Sequence, residues 1–362
     1  MIYRAIGVMS GSSLDGLDIA FVEFHENGGK WQFEILHADC KAYTQEWKAK
    51  LENAITLPAL EYQLLHADYG HYIGQQVNAF IEQNALQYKV AVIGSHGHTT
   101  FHLPERGMTG QIGDGAAIAA ETDLPVVSDL RAMDVALGGQ GAPIVPVGEK
   151  LLFSDDRYFL NLGGIANLSI KEAGSDYKAF DICAANRVLN MLAGELGKEY
   201  DTDGDWARSG NVNNVLLQEL NGLDYYNQPA PKSLANDFGT GTVYPIIKKH
   251  AGSVEDQLRT YVEHIVQQVD KALSMDPAYH RETYSLLVTG GGALNRFLME
   301  RMENQLSAKV VVPDENLVQF KEAMIMALIA VLRWREENTV LSSVTGARRD
   351  SAGGAMWLGN VS

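Results

Sequence analysis

The pattern of apolar and polar positions reads as strands at the start of the chain. IYRAIGVM (residues 2–9) is followed by LDIAFVEF (17–24). WQFEILHAD (31–39) comes next, in which Trp31, Phe33 and Ile35 alternate with polar neighbours. Three strands on short loops predict an antiparallel meander. A long helical stretch near residues 60–86 follows, then an apolar strand in YKVAVIGSHG, a helix in GDGAAIAAET and a strand in LPVVSDL. This alternation predicts a largely parallel continuation of the sheet. DRYFLNLGGIANLSI then repeats the opening as strand, Gly-rich turn and strand, and SDYKAFDICA adds a third strand. Helices follow in ANRVLNMLAGELG, VNNVLLQELNG and VEDQLRTYVEHIVQQVDKALSM. YSLLVTGGGALN is a strand running into glycines, RFLMERMENQL a helix, KVVVPD a strand and FKEAMIMALIAVLRWREE a helix. The expected fold is therefore α/β, with two similar domains flanking a deep cleft. Residues 1–135 with 346–362 are expected to form the first domain and 136–345 the second.

The length of 362 residues suits two domains, and 46% apolar with 20% charged residues marks a globular chain. A formal net charge of -16 argues against nucleic acid or an anionic membrane as a partner. A small anionic ligand, which needs only local donors, stays open. The two cysteines, Cys40 and Cys183, build neither a disulfide framework nor a zinc-type CxxC pair. The N-terminus does not read as a signal peptide, and no apolar run is long enough to span a bilayer, so the expected location is cytoplasmic.

Neither a GxxxxGK[ST] loop nor a GxGxxG after the first strand is present, so the common phosphate loop and the dinucleotide fingerprint are missing. Three Gly-rich turns stand instead, each after an apolar strand: Ser10–Gly16, NLGGIAN (161–167) and TGGGALN (289–295). In the first, Ser10, Ser12, Ser13, Asp15 and Asp18 suit a phosphate with its metal ion, and equally a plain hairpin. Asp181 stands between a strand and a helix. It reads either as a general base or as a residue ordering the turn, with Asn186 the better helix cap. SHGHTTFH places His96, His98 and His102 close together with no acidic ligand nearby. Hydrogen bonding or a structural role therefore outranks a metal site. Arg131 and Asp134, beside GGQGAP, read as a local pair or as a clamp on substrate.

Several segments resemble the anhydro-N-acetylmuramic acid kinases, members of the sugar kinase and actin superfamily. They are GVMSGSSLDGLDIA, GSHGHTTFHLP, QIGDGAAIAAETDLPVVSDLRAMDVALGGQGAPIVP, LNLGGIANLSI, DGDWARSG, PKS, VTGGGALN, KEA and VTGA, in family order over nearly the whole chain. The resemblance implies two actin-like (ribonuclease H-like) domains. It also implies a kinase that uses ATP and Mg2+ to open an intramolecular 1,6-anhydro ring with water and to phosphorylate O6. On it, Gly11, Ser12, Ser13, Leu14, Asp15, Gly16, Leu17 and Asp18 form the phosphate loop. Asn161, Gly163, Gly164, Gly290, Gly291 and Gly292 complete the nucleotide site, and Asp181 is the catalytic base. His96, His98, Thr99, Arg131, Asp134, Asn167 and Glu322 face the sugar, and no resident protein metal site is expected. The chain departs from the family pattern at three places. DICAAN stands for DTGPGN, SHGHT for SHGQT, and APKSLAND for PPKSTGRE, keeping Pro231, Lys232 and Ser233. These departures leave room for another anhydro sugar such as levoglucosan. A non-catalytic nucleotide-binding protein of the same fold is the reading from a different class. A homodimer is the open oligomeric alternative.

Overall fold

The computed structural model describes residues 1–11, 14–172, 177–230, 232–235, 237–281 and 284–359. In chain order the strands are β1 (Ile2–Ser10), β2 (Gly16–Asn27), β3 (Lys30–Ala42), β4 (Val92–Ser95), β5 (His98–Leu103), β6 (Met108–Ile112) and β7 (Val126–Ser128). They continue as β8 (Tyr158–Leu162), β9 (Ile165–Lys171), β10 (Tyr177–Ala184), β11 (Ser285–Thr289), β12 (Lys309–Val311) and β13 (Ala355–Trp357). The chain divides into two compact units, Met1–Ser154 with Phe320–Ser362, and Asp155–Gln319.

In the first unit, β1, β2 and β3 form the antiparallel meander, and β4 and β7 extend it in parallel from β1. The chain end returns as β13, antiparallel to β7. In the second unit β8, β9 and β10 form the meander, and β11 and β12 extend it in parallel from β8. Counted from its own first strand, each sheet has the core order 3-2-1-4-5, so the two units repeat one plan.

The units divide at 154 and 319, whereas the sequence expectation divided them at 135 and 345. Packing explains the difference. Helix Pro146–Leu152 buries Val147, and a side chain on its Gly148 would collide with Ile325. Phe153 packs on Phe33 of β3 with the rings tilted by 60° and their centroids 5.3 Å apart. Helix Glu315–Trp334 carries the run MIMALIAVL, in which Met324 to Leu332 are all buried. A helix apolar on all sides needs a covered position. This one lies so close to the first sheet that a Cβ on Gly7 of β1 would stand 1.8 Å from the Ala323 carbonyl oxygen.

One element has no counterpart in the sequence reading. β5 and β6 pair as a separate two-stranded sheet between β4 and helix Gly115–Thr122, with Gly107 turning the chain at φ +68°. HTTFHL lacks the apolar alternation of a half-buried strand, so the pattern there is silent.

Candidate functional site

The candidate groups fall on both units. In the second, the register of four strands gathers them. Asn167 of β9 pairs with Asn161 of β8 and with Asp181 of β10, and Thr289 of β11 pairs with Asn161. Directly paired residues share a face, so Thr289, Asn161, Asn167 and Asp181 form one polar row. It lies at the carboxyl ends of the parallel strands β8 and β11, where open α/β sheets present ligand sites. Among the described residues the Thr289 Oγ1 is buried with no hydrogen-bond partner, a donor left for something else.

Asp181 lies inside β10, where the expected strand in SDYKAFDICA put it, and not in the turn before the following helix that the alternative reading gave it. The register slips immediately after it, so Ile182 is the extra residue of a β-bulge. Such bulges re-aim the neighbouring side chain. The Asp181 Oδ2 accepts hydrogen bonds from the Leu234 N–H (2.8 Å) and the Ser233 hydroxyl (3.2 Å). The backbone of Asp181 is tied on both sides, its N–H to the Lys232 carbonyl and its carbonyl to the Tyr225 hydroxyl. Burial raises the carboxyl pKa above its ordinary value, and the two donors only partly oppose that. The result is a fixed carboxylate of increased basicity. Ser233 and Leu234 belong to the PKS segment, but their role in seating Asp181 depends on a contact some fifty residues away that spacing does not reveal.

The two Gly-rich turns of this unit pack on each other. A Cβ on Gly290 (φ +81°) would lie 2.5 Å from the Asn161 side chain, and one on Gly292 would lie 2.7 Å from the Leu162 Cβ. These two glycines are required by the protein's own packing. Gly163, Gly164 and Gly291 are different: added Cβ atoms there meet nothing closer than 3.6 Å. Bare backbone that no neighbour demands suits the close approach of a ligand. Asn186 is not the helix cap expected of it. It is the first residue of helix Asn186–Glu195, and its side chain donates to the Leu162 carbonyl at 2.9 Å. The helix start is capped by the turn itself, since the Gly164 and Gly163 carbonyls accept from Ala185 and Asn186.

In the first unit, the turn after β1 begins with Gly11 and Leu14, the latter left-handed at φ +57°. Ser12 and Ser13 lie outside the described residues, as does Pro231. Gly16 is required by β3, because a Cβ there would lie 2.6 Å from the Cys40 sulfur. The Leu17 side chain is fully buried in the core, so only its backbone could face a nucleotide. Asp18 follows on β2. Burial first, then the nearby charges of Glu322 and Asp15, raise its pKa to about 6 despite a hydrogen bond from Cys40. A buried Asp18 carboxylate in the field of two further acidic groups is relieved by a cation. Mg2+, which takes one or two carboxylates and otherwise water and phosphate oxygens, fits that donor set. The described residues contain no group of three or more His, Cys, Asp or Glu close enough to hold a metal alone.

The raised pKa has a consequence for stability. The neutral form is favoured by folding, so Asp18's contribution is fully present below about pH 4 and is lost as pH rises through about 6. Above that, its buried charge weakens the fold by on the order of 2–3 kcal/mol. Asp18→Asn is therefore expected to raise the melting temperature at pH 8 in the absence of nucleotide, with the gain vanishing near pH 4. A lower melting temperature at pH 8 would contradict the assignment.

The histidines and the Arg131–Asp134 pair are largely committed to the protein. The His96 Nδ1 donates to the Gly97 carbonyl (2.9 Å) and its Nε2 accepts from the Arg131 Nε (2.9 Å), which defines a neutral ring with both nitrogens used. Burial and the Arg131 charge lower its pKa to about 3. His96 therefore positions Arg131 and has no ring nitrogen left for a sugar, contrary to the sequence expectation. The Arg131 Nη1 donates to the Gly141 carbonyl, and burial lowers the guanidinium pKa to about 10. Among the described residues its Nη2 makes no hydrogen bond, which leaves it for a ligand. Asp134 is also structural: its carboxylate accepts from the Gly141 N–H and the Thr345 hydroxyl, holding the GGQGAP turn to the VTGA segment. Glu322, in the charge field of Arg131, is raised by burial. Thr99 is exposed on β5, where its hydroxyl accepts from Gln111.

His98 differs from His96. Its Nδ1 meets the Ser10 hydroxyl at 3.1 Å; Ser10 accepts from Tyr43, which in turn is bonded to Tyr69 at 2.6 Å. A Ser10 hydroxyl that donates to Nδ1 places the ring proton on Nε2, and one that accepts from Nδ1 leaves Nε2 as an acceptor. The chain of buried hydroxyls holds the His98 ring by its Nδ1. Tyr43 and Tyr69 carried no signal in the sequence, since aromatic residues at strand ends and in helices are ordinarily core.

Against this geometry stand the likenesses of the chain. Residues 3–359 match the family model described as anhydro-N-acetylmuramic acid kinase. The protein of that name from Sulfurimonas denitrificans is 34% identical, with 97% of this chain and 98% of that one covered. Those from Photobacterium profundum and Vibrio cholerae are each 33% identical, covering 98% and 97% of this chain and 99% and 97% of their own. A match that spans both units, from β1 to just beyond β13, and relatives aligned end to end lead to one conclusion: the chain belongs to the anhydro-N-acetylmuramic acid kinase family.

Proposed function

We propose that the protein is an ATP-dependent kinase that hydrolytically opens the 1,6-anhydro ring of anhydro-N-acetylmuramic acid and phosphorylates O6. The product is N-acetylmuramic acid 6-phosphate, for cell-wall recycling in the cytoplasm. The observation that carries this reading is the seat of Asp181: a partly buried carboxylate of raised basicity, aimed by a bulge and held by two donors, in a row with Asn161, Asn167 and an unpartnered Thr289 hydroxyl.

In this reading Asp181 takes a proton from the water whose oxygen bonds to the anomeric carbon. The bond from that carbon to O6 breaks, and O6 takes the γ-phosphoryl group as ADP leaves. Such a transfer needs chiefly positioning and charge neutralisation, while the hydrolytic half needs a base. Bound Mg2+ would neutralise phosphate charge, with Asp18 the residue best fitted to hold it. Gly163, Gly164 and Gly291 would lie against the nucleotide. Arg131, through Nη2, would donate to a sugar oxygen, and His98, through Nε2, would hydrogen-bond to the sugar. Among the described residues no helix is long and apolar enough to cross a membrane.

A coupled ADP-release assay across a panel of 1,6-anhydro sugars tests the activity. Turnover is expected with anhydro-N-acetylmuramic acid and to be weaker with levoglucosan, which lacks the amide and lactyl groups. Release of ADP independent of any sugar would favour a nucleotide-binding protein without sugar chemistry. The glycines give a second test. Gly291→Asp is expected to weaken ATP binding about tenfold or more with an unchanged melting temperature, because its Cβ has room in the protein. Gly292→Asp is expected to lower the melting temperature, because its space is occupied by Leu162 and Asn186. Equal ATP affinity of wild type and Gly291→Asp in calorimetry would remove Gly291 from the nucleotide site.

A further inference from the structure

On the far side of β10 from Asp181, the second unit has a cavity of about 310 Å3. Phe180, which alternates with Asp181 along the strand, contributes to its apolar floor with Ile182, Ala272 and Met275. The polar part is unusual for a chain of net charge -16: it holds two lysines, Lys232 and Lys271, and no acidic residue. The lysine ion pairs among the described residues involve Lys41, Lys50, Lys178, Lys248 and Lys321, and neither of these two. Each is held in place by neutral groups. The Lys232 Nζ donates to the Tyr225 carbonyl at 3.0 Å and lies 4.5 Å from the centre of the Tyr225 ring. The Lys271 Nζ donates to the Asn227 side chain at 3.0 Å. Burial and the Lys271 charge both lower the Lys232 pKa, so the two ammonium groups repel across the cavity.

Two positioned, mutually repelling ammonium groups above an apolar floor are a receptor for a dianion attached to an apolar body. A phosphomonoester carries about −1.5 to −2 charges near pH 7 and satisfies both lysines at once, and the volume lies within the usual range for small-molecule pockets. We propose that this cavity is a binding site for an organic phosphomonoester, distinct from the face that carries Asp181. Its occupancy is linked to that face through the backbone, since the Lys232 carbonyl accepts from the Asp181 N–H and the Tyr225 hydroxyl donates to the Asp181 carbonyl. The proposal does not depend on the kinase reading, because its readout is binding alone.

Phenyl phosphate is the probe, titrated into the full-length protein and followed by ligand-observed NMR, with benzoate and benzyl alcohol as singly charged and neutral comparisons. Phenyl phosphate should bind more tightly than benzoate and benzyl alcohol more weakly still. Lys271→Gln, at an exposed position, should weaken phenyl phosphate about tenfold or more, and Lys271→Arg should restore most of the affinity. ADP release with an anhydro sugar should be unchanged in Lys271→Gln when no probe is present. Failure of phenyl phosphate to bind, equal binding by wild type and Lys271→Gln, or equal affinity for benzyl alcohol would each overturn the proposal.

Discussion

Asp181→Asn is expected to lower turnover of anhydro-N-acetylmuramic acid by about two to four powers of ten, while ATP affinity and melting temperature stay near wild type. The substitution is nearly isosteric. Its amide oxygen still accepts from the Leu234 N–H and the Ser233 hydroxyl, so the loop that closes over β10 keeps its anchor. What is lost is the capacity to take a proton. The raised pKa of the native carboxyl sharpens the test, because the base works only when ionised. Wild-type activity should therefore fall on the acid side, through a pKa above the ordinary carboxylate value. If Asp181 served only to tie down residues 233–234, Asp181→Asn would instead lower the melting temperature and barely change turnover. Both quantities measured on one preparation separate the two outcomes.

Gly7→Val is expected to have the largest effect on stability, about 3 kcal/mol or more, enough to leave much of the protein unfolded or insoluble. Gly7 lies on β1 beneath helix Glu315–Trp334, and an added Cβ would stand 1.8 Å from the Ala323 carbonyl oxygen and 2.6 Å from the Ala327 nitrogen. These are backbone atoms in the buried Ala323–Leu332 stretch of that helix, so they cannot swing aside as a side chain can. Gly94 on β4 is in the same position, with the Met326 carbonyl oxygen 2.1 Å from its would-be Cβ. Gly194→Ala is the control, since nothing lies within 4 Å of an added Cβ and the residue sits in a helix. There the substitution should be neutral or stabilise by about 0.5–1 kcal/mol. Denaturant midpoints of the two variants should differ strongly, and equal midpoints would show that the helix and sheet are not packed as closely as described.

What the sequence made legible is what local pattern controls. The meanders, the helices Val254–Leu273 and Glu315–Trp334 and the duplication of the plan follow from apolar spacing alone. The motif segments located Asp181 and the Gly-rich turns. Illegible were the features set by distant partners. His96 and Asp134 lose their expected ligand roles to Arg131, Gly141 and Thr345, the last some two hundred residues from Asp134. Leu17 sits in a motif yet points into the core. Gly290 and Gly292 differ from Gly291 only through the neighbouring turn packed on them. The boundary at residue 154 depends on where helix Pro146–Leu152 is buried, which its own seven residues do not announce.

The central claim is that one reaction adds both water and a phosphoryl group to the sugar. Mass spectrometry of the product, with ADP counted in the same sample, tests it most directly. The account predicts one ADP per sugar and a product heavier than anhydro-N-acetylmuramic acid by one phosphoryl group and one water, with no such product from Asp181→Asn. A product carrying the phosphoryl group on an intact anhydro ring, or ADP formed with the sugar unchanged, would contradict it.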